Sequence, residues 1–326
     1  MPHPQPDRDH TALLTHDVAV VGGGPAGLSA AVALARSLRR VVLVDAGEPR
    51  NAPATGAHNV LGREGVAPRD LLAAGRREAE QYGAEVRHDR VVAARRVGTG
   101  FALELAGGDV LRVRRLLLAT GLADELPDVP GVRECWGRTV LHCPYCHGYE
   151  VRGQRLVVLA TGPMAEHQAL LFRQLSDDVT LVVDGMPDPG PEVWEQLGAV
   201  GVRVVPGPVA RLRIDGRDVR AVVLADGGEV PADAVVVAPR FVARTDLYEQ
   251  LGGTATEHPL GAVIETDARG ATALPGVWAA GNARDLTAMV SLASGAGLMT
   301  GAALNAELAA EEAREAVERH RLLATG

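Results

Sequence analysis

An α/β protein with two dinucleotide-binding, Rossmann-like domains of three layers is the fold class that this sequence predicts. Three observations carry it. A complete strand, glycine turn, helix, strand unit lies near the N-terminus, a second unit of the same pattern begins at residue 155, and 326 residues suit two domains of about 100 to 200 residues each.

The first unit reads "DVAVVGGGPAGLSAAVALARSLRRVVLVDAG". A β-branched run at 18–21 predicts a strand, 28–38 a helix, and 41–44 a second strand. Between strand and helix stands Gly22-x-Gly24-x-x-Gly27, with Pro25 and Ala26 inside it. Gly22 permits the tight turn, Gly24 lets the backbone approach a pyrophosphate, and Gly27 lets helix and strand pack closely. The helix N-terminus then offers its unbonded N–H groups to the phosphates. Asp45 ends the second strand, 23 residues after Gly22, where an acid takes the ribose 2′-OH. NAD and FAD both satisfy this pattern.

The second unit reads "RLVVLATGPMAEHQALLFRQLSDDVTLVVDG" and predicts a strand at Leu156–Leu159, a helix at 165–175 and a strand at Val179–Val183. Its turn has Ala160 where the first unit has Gly22, and a β-carbon there crowds the phosphate approach. The segment "VDGMPD" at 183–188 holds two acids and no base, so it repels the 2′-phosphate of NADPH. Asp184 leaves a place for the 2′-OH of NADH.

Composition narrows the chemistry. All 33 basic residues are Arg, which excludes lysine Schiff bases and the Gly-Lys phosphate loop. A net charge of -8 without a basic stripe argues against nucleic acid. The first sixteen residues are polar, with no apolar signal core, and no apolar run approaches the roughly 20 residues of a membrane helix. A soluble cytoplasmic protein is expected. Three cysteines make no secreted disulfide framework, and in a reducing compartment a cysteine pair is catalytic or metal-binding rather than structural.

That pair lies in "HCPYCHGYE" at 142–150, just ahead of the second unit. Cys143 and Cys146 fit a redox disulfide, half of a metal site, or two buried thiols. Zinc would enlist His142 and His147 as well, four ligands within six residues that close a tetrahedron poorly, so no metal is expected. The glutaredoxin tetrapeptide is the same, but it follows the first strand of a small fold. Cys135 has no such neighbour and reads as structural.

Two further segments resemble a known signature. "LLLATG" at 116–121 and "GVWAAGN" at 276–282, about 155 residues apart, are similar to the two-part flavin signature of two-dinucleotide-binding-domain flavoproteins. The resemblance implies FAD, held by residues 1–122 and 245–326, with 123–244 inserted as an NAD(P)-binding-like domain whose nucleotide site is degenerate. With the cysteine pair at the start of the insertion, the layout resembles low-molecular-weight thioredoxin reductases over nearly the whole chain. These reductases usually carry Asp after the second Cys. His147 stands there, which resembles the flavin-dependent dithiol oxidases of gliotoxin and holomycin biosynthesis.

The resemblance implies the following site. Gly22, Gly24, Pro25, Ala26, Gly27, Asp45, Ala119, Thr120, Gly121, Gly281 and Asn282 hold FAD. Arg50 and Asn59 present side chains toward the flavin, and the Val91 backbone meets the adenine. Asn282 replaces an Asp that contacts the ribityl chain, and a helix from about residue 285 aims its N-terminus at the flavin, with Val290 and Ser291 where the reductases have Arg-Gln. A substrate dithiol attacks Cys143, its second thiol closes the substrate disulfide, and Cys146 passes the electron pair to FAD and on to O2, with release of hydrogen peroxide. His147 is the base that deprotonates the thiol and, as a cation, favours the neighbouring thiolates; His142 is the reserve. The substrate is then a small natural-product dithiol, and the protein a homodimer. Two rivals stand beside this reading: a disulfide reductase fed by NAD(P)H or ferredoxin, and a flavin redox sensor without turnover.

Overall fold

The computed structural model describes residues 14–162 and 164–324. Most of the polar N-terminal stretch and Pro163 of the second turn lie outside them. The chain divides into two compact units, one formed up to Arg50, by Arg69–Ala123 and from Val242 on, the other by Asn51–Pro68 and Asp124–Phe241. It passes between them in the strands Leu122–Glu125 and Arg240–Ala243.

In the first unit, five parallel strands lie in the order Glu85–His88, Val41–Asp45, His16–Val21, Val110–Leu118, Val277–Ala279. The hairpin Val91–Val97/Gly100–Leu105 adds antiparallel strands beside the early half of Val110–Leu118. Both faces of this sheet are buried, which is why its strands are apolar runs rather than alternations. Val18 and Val20 enter the core under the helices, Ala19 and Val21 the core on the opposite face.

The first helix is Pro25–Arg36, three residues earlier at its start than the periodicity alone suggests. Pro at the first helical position has φ already set and no N–H to lose there. Leu38, at φ 61°, turns the chain out. The last helix, Val290–Ala324, begins later than the expected position near 285. Polar side chains take over the backbone bonding first: Asn282 Nδ2 donates to the carbonyls of Asp285 (2.9 Å) and Ala288 (3.0 Å), and Asp285 Oδ1 accepts from Thr287 N (2.9 Å). The two helices cross closely. A β-carbon on Gly297 would overlap the Ala26 carbonyl oxygen, and one on Gly301 would lie 3.0 Å from that of Ala30. Beyond Leu308 the helix is held by Arg114 and Arg115, which pair with Glu307, Glu311 and Glu312, and then runs on as an exposed extension.

The second unit has a parallel sheet in the order Arg203–Pro206, Val179–Val183, Leu156–Leu159, Ala234–Val236, Val140–Leu141. The helices Ala165–Arg173 and Pro191–Ala199 bury Phe172 and Leu197 in the core on one face. The meander Val209–Asp215, Asp218–Leu224, Glu229–Pro231 covers the other, closing over Leu212, Val219 and Val222. Segment 51–68 groups with this second unit, tied to it through Asn59 and His58.

Candidate active site

In the first unit the strand His16–Val21 delivers Gly22 into the left-handed region, at φ 108°. Its N–H donates to Val44 O (2.8 Å), and a β-carbon there would overlap the Ala119 carbonyl, so only glycine fits. A β-carbon on Gly27 would overlap the carbonyl oxygen of Gly22, which fixes how closely helix and strand approach. Gly24 differs from both: nothing lies within 4 Å of its β-carbon position, and no side chain caps the helix that follows. This is an open cradle at an uncapped helix N-terminus, the shape and polarity that a pyrophosphate needs.

Of the other expected FAD residues, Ala119, Thr120 and Gly281 adjoin it. Ala119 N donates to Val21 O (2.8 Å) and Ala280 N to Leu118 O (3.0 Å), so Ala119, Thr120 and Gly281 stand at the ends of strands adjoining Gly22. Gly281 takes φ 65°, with its β-carbon position 2.7 Å from Ala26 Cβ. Gly121, at φ 70°, accepts from Arg244 N (3.0 Å), and Thr120 Oγ1 donates to Arg244 O (2.8 Å). Asp45 is buried at the end of the neighbouring strand, opposite His88; its Oδ1 accepts from Gly47 N (3.2 Å), and Arg76 lies 3.4 Å from Oδ2. Val91 opens the next strand, paired with Leu105. Asn282 spends its amide donors on the turn before the last helix. Arg50 is exposed where the first unit's chain leaves it. Asn59 lies in the second unit, where its Nδ2 donates to Tyr145 O (2.8 Å), between the two cysteines. The residues present thus fit a dinucleotide in the first unit.

Among the described residues of the second unit the counterparts of these glycines are differently placed. Ala160 stays out of the positive-φ region that Gly22 occupies. The β-carbon position of Gly162, counterpart of Gly24, meets Ala238 Cβ at 2.8 Å instead of open space. Ala165 stands where Gly27 stands, so the helix cannot approach the strand as closely, and it begins three residues after Gly162 where Pro25 follows Gly24 directly. Asp184 accepts from Val209 N (3.1 Å), and Asp188 accepts from Gly190 N (3.0 Å) and Trp194 Nε1 (2.8 Å). Both acids have structural partners of their own.

Cys143 and Cys146 form a disulfide across a one-turn helix, Pro144–His147, with Cα atoms 5.3 Å apart. Cys146 N and His147 N both reach Cys143 O, at 3.3 and 3.2 Å. Gly148 is required next, because a β-carbon there would overlap Pro144 O and the Leu175 side chain. Cys135 is a buried free thiol whose pKa burial pushes up, an inert state.

His147 is part-buried, and its Nε2 has no partner among the described residues. Burial pushes its pKa below the ordinary 6.5; the Glu150 charge pulls it up and His58 pushes it down. Burial favours the uncharged ring of His147, which can accept a proton at Nε2. His142 is differently occupied: Nδ1 lies 3.2 Å from Val237 O, the ring meets Phe241 edge-on, and Gln168 Nε2 donates to the His142 carbonyl (3.1 Å).

Sequence reasoning overlooked His58, Glu64 and Gln168. His58 Nδ1 lies 2.8 Å from Glu64 Oε1, and His58 Nε2 lies 3.5 Å from Glu150 Oε1. The signal was a His and a Glu six residues apart beside Asn59, but nothing in the spacing tells that their loop meets the cysteine turn.

Known proteins can now be set beside this geometry. The sequence profile described as pyridine nucleotide-disulphide oxidoreductase matches residues 16–303. Thioredoxin reductase tcpT of Claviceps purpurea is 33% identical over 277 residues, covering 82% of this chain and 86% of that protein. Thioredoxin reductase sirT of Leptosphaeria maculans is 32% identical over 316 residues, covering 89% and 93%. Among solved structures, that of HlmI superposes with a TM-score of 0.86 at 46% identity, covering 93% of this chain and 96% of that one.

Proposed function

Because the chain belongs to the pyridine nucleotide-disulphide oxidoreductases, and is thus an FAD-dependent disulfide oxidoreductase, we propose that it oxidises a small-molecule dithiol to a disulfide with O2 as final acceptor. One contrast carries this reading: the first unit keeps an open nucleotide cradle while the second has lost its own. Electrons entering by nicotinamide would need the second cradle, and electrons entering by thiol need only the Cys143–Cys146 disulfide.

His147 Nε2 takes the proton from one substrate thiol, and the thiolate attacks Cys143 Sγ. The Cys143–Cys146 bond breaks, Cys146 leaves as a thiolate, and a mixed disulfide joins substrate to Cys143. The second substrate thiol, deprotonated in turn, attacks the substrate sulfur of that bond and expels Cys143, so the substrate loses two electrons and two protons to form its disulfide. FAD, held by Gly22, Gly24, Pro25, Ala26, Gly27, Asp45 and the turns at Ala119–Gly121 and Gly281–Asn282, with the further contacts expected of Arg50, Asn59 and Val91, supplies the two-electron acceptor for the reduced cysteines and the route to O2 and hydrogen peroxide.

The resemblance of the segment around His147 to the dithiol oxidases of gliotoxin and holomycin biosynthesis supports a small dithiol as substrate. It also supports a homodimer. Among the described residues no helix is long and apolar enough to cross a membrane.

The test is anaerobic. A dithiol such as dithiothreitol is expected to bleach the flavin absorbance, and air to restore it with one peroxide per dithiol. NADH and NADPH are expected to leave the colour unchanged over the same minutes. Prompt bleaching by either nicotinamide would overturn the reading in favour of a disulfide reductase.

His147 gives a second expectation. A base must be neutral to accept, so flavin reduction should fall as pH drops through the lowered histidine pKa, below 6.5, and stay level above it. His147→Ala should keep FAD, slow reduction at pH 7 by about a hundredfold, and abolish that acid limb. An unchanged rate and profile in stopped-flow traces would remove His147 from the mechanism.

A further inference from the structure

A buried cationic donor in the first unit lacks an acceptor at one of its nitrogens. The helix Pro68–Gln81 lies against the first helix: Leu72 and Ala79 enter the core with Leu28, and a β-carbon on Gly75 would stand 3.0 Å from Leu28 Cδ1. Arg76, one turn after Leu72 and one before Ala79, is carried inward on that face, with its side chain 22% exposed. One end of its guanidinium reaches Asp45, where Nη2 lies 3.4 Å from Oδ2. Nε is shielded from water and has no hydrogen-bond partner among the described residues. Such a donor is rare in a folded protein, because it gives up its bonds to water for nothing, unless a bound molecule brings the acceptor.

Asp45 ties this donor to the nucleotide cradle. It ends the strand Val41–Asp45, and a β-carbon on Gly23, inside the fingerprint turn, would lie 2.5 Å from its Cγ, so the carboxyl stands directly against the backbone of that turn. Only 12% of the Asp45 side chain is exposed; Oδ1 accepts from Gly47 N (3.2 Å), and Oδ2 has Arg76 beside it. A carboxylate in this position accepts a hydrogen bond from a ribose hydroxyl of the dinucleotide. The hydroxyl oxygen keeps lone pairs of its own, and a carboxylate has no proton to offer them. A guanidinium N–H does. A guanidinium that merely braced Asp45 would need its terminal nitrogens alone, which leaves the buried Nε unaccounted for.

We propose that Arg76 is a further FAD-binding residue, whose Nε–H donates to the 2′-hydroxyl oxygen of the adenosine ribose while the same hydroxyl donates to Asp45. The two side chains together then select a ribose over a deoxyribose, because only a hydroxyl can donate to the one and accept from the other. Arg76 lies outside the glycine fingerprint and both flavin segments, 31 residues after Asp45, and the fold alone brings it to the cradle. No dithiol, oxygen or nicotinamide takes part, so Arg76 has this role whichever way electrons cross the flavin.

The full-length chain, freed of flavin, is titrated with FAD by fluorescence, and ADP and 2′-deoxyadenosine 5′-diphosphate then compete for the site. The parent should take ADP about tenfold more tightly than the deoxy compound, since without the hydroxyl two buried polar groups stay unpaired. Arg76→Met should weaken FAD and ADP about tenfold, leave the deoxy compound nearly unchanged, and so erase the preference. Arg76→Lys keeps a positive charge for Asp45 but sets a methylene where Nε stands; it should fold, lose the preference as well, and decide the matter if the Met variant does not fold. Asp45→Ala should retain a preference of about threefold, which adding Arg76→Met removes. A parent that binds both diphosphates alike, or an undiminished preference in Arg76→Met or Arg76→Lys, would overturn the assignment. Lowered thermal stability with FAD affinity unchanged would overturn it too and leave Arg76 a brace. If Asp45→Ala alone abolishes the preference and Arg76→Met then costs nothing more, Arg76 acts only through Asp45 and the direct contact falls. A ribose preference that depends on Arg76, in a protein that no dithiol bleaches, would uphold Arg76 and overturn the oxidase reading instead.

Discussion

Cys146→Ser is expected to purify as a yellow protein that a dithiol no longer bleaches. The cysteines lie on the one-turn helix of the second unit, and the open nucleotide cradle is built by glycines of the first, so removing a sulfur leaves the FAD residues as they are. The chemistry, by contrast, has no other entrance. A hydroxyl cannot form a disulfide, and without the Cys143–Cys146 bond an incoming thiolate has no sulfur to displace. Anaerobic reduction should fall about a thousandfold or more, since removal of a covalent nucleophile has an effect of that order. Cys143→Ser should lose reduction equally. The two differ in what can be trapped: the remaining Cys143 of Cys146→Ser should capture the disulfide form of the substrate as a mixed disulfide, seen as added mass on that peptide. The buried Cys135, whose thiol burial holds protonated, should stay unlabelled. If Cys146→Ser is bleached by dithiol at the parent rate, the electrons do not pass through the pair.

Gly27→Ala is expected to yield a colourless protein, although it adds one methyl group. That carbon would lie 1.9 Å from the carbonyl oxygen of Gly22, a backbone atom of the very turn that shapes the cradle, and no side chain can rotate away to make room. Helix and strand must part. Forcing extra atoms into such a contact costs about 1–3 kcal/mol, and if all of it falls on the cradle, FAD affinity drops about ten- to hundredfold. Gly162→Ala is the matching control in the second unit. Its added carbon meets a single methyl, on Ala238 of the same unit, and the protein should keep its colour. Flavin released on dilution reports both. Parent-like retention of FAD by Gly27→Ala would show that the cradle tolerates what the geometry forbids.

The contrast between these two glycines also shows where reading a sequence stops. Gly22, Gly24 and Gly27 are legible because local rules fix them: a strand that ends, a left-handed turn and a helix that starts together leave little else to fit. Ala160 in the second turn was legible for the same reason. The late start of the helix Ala165–Arg173 and the packing of Gly162 on Ala238 were not, because Ala238 lies 76 positions away and only the sheet brings it near. Asp184 looked like a ribose ligand until the fold placed Val209 N within hydrogen-bond reach of it.

The sequence by itself determined the two α/β units, the intact dinucleotide fingerprint, the cysteine pair and the exclusion of lysine chemistry. All of these rest on residue type and short-range order: hydrophobic runs, glycine where φ is positive, two thiols a single helical turn apart. The tertiary structure alone decided the burial of His147, the attachment of Asn59 to the cysteine turn, and the placing of His58 beside Glu64 and Glu150. Charge and burial depend on what the chain brings in from elsewhere. The pKa of an imidazole is set by the dielectric and the charges within a few ångströms of it, and here one of those charges comes from a loop nearly ninety residues earlier in the chain.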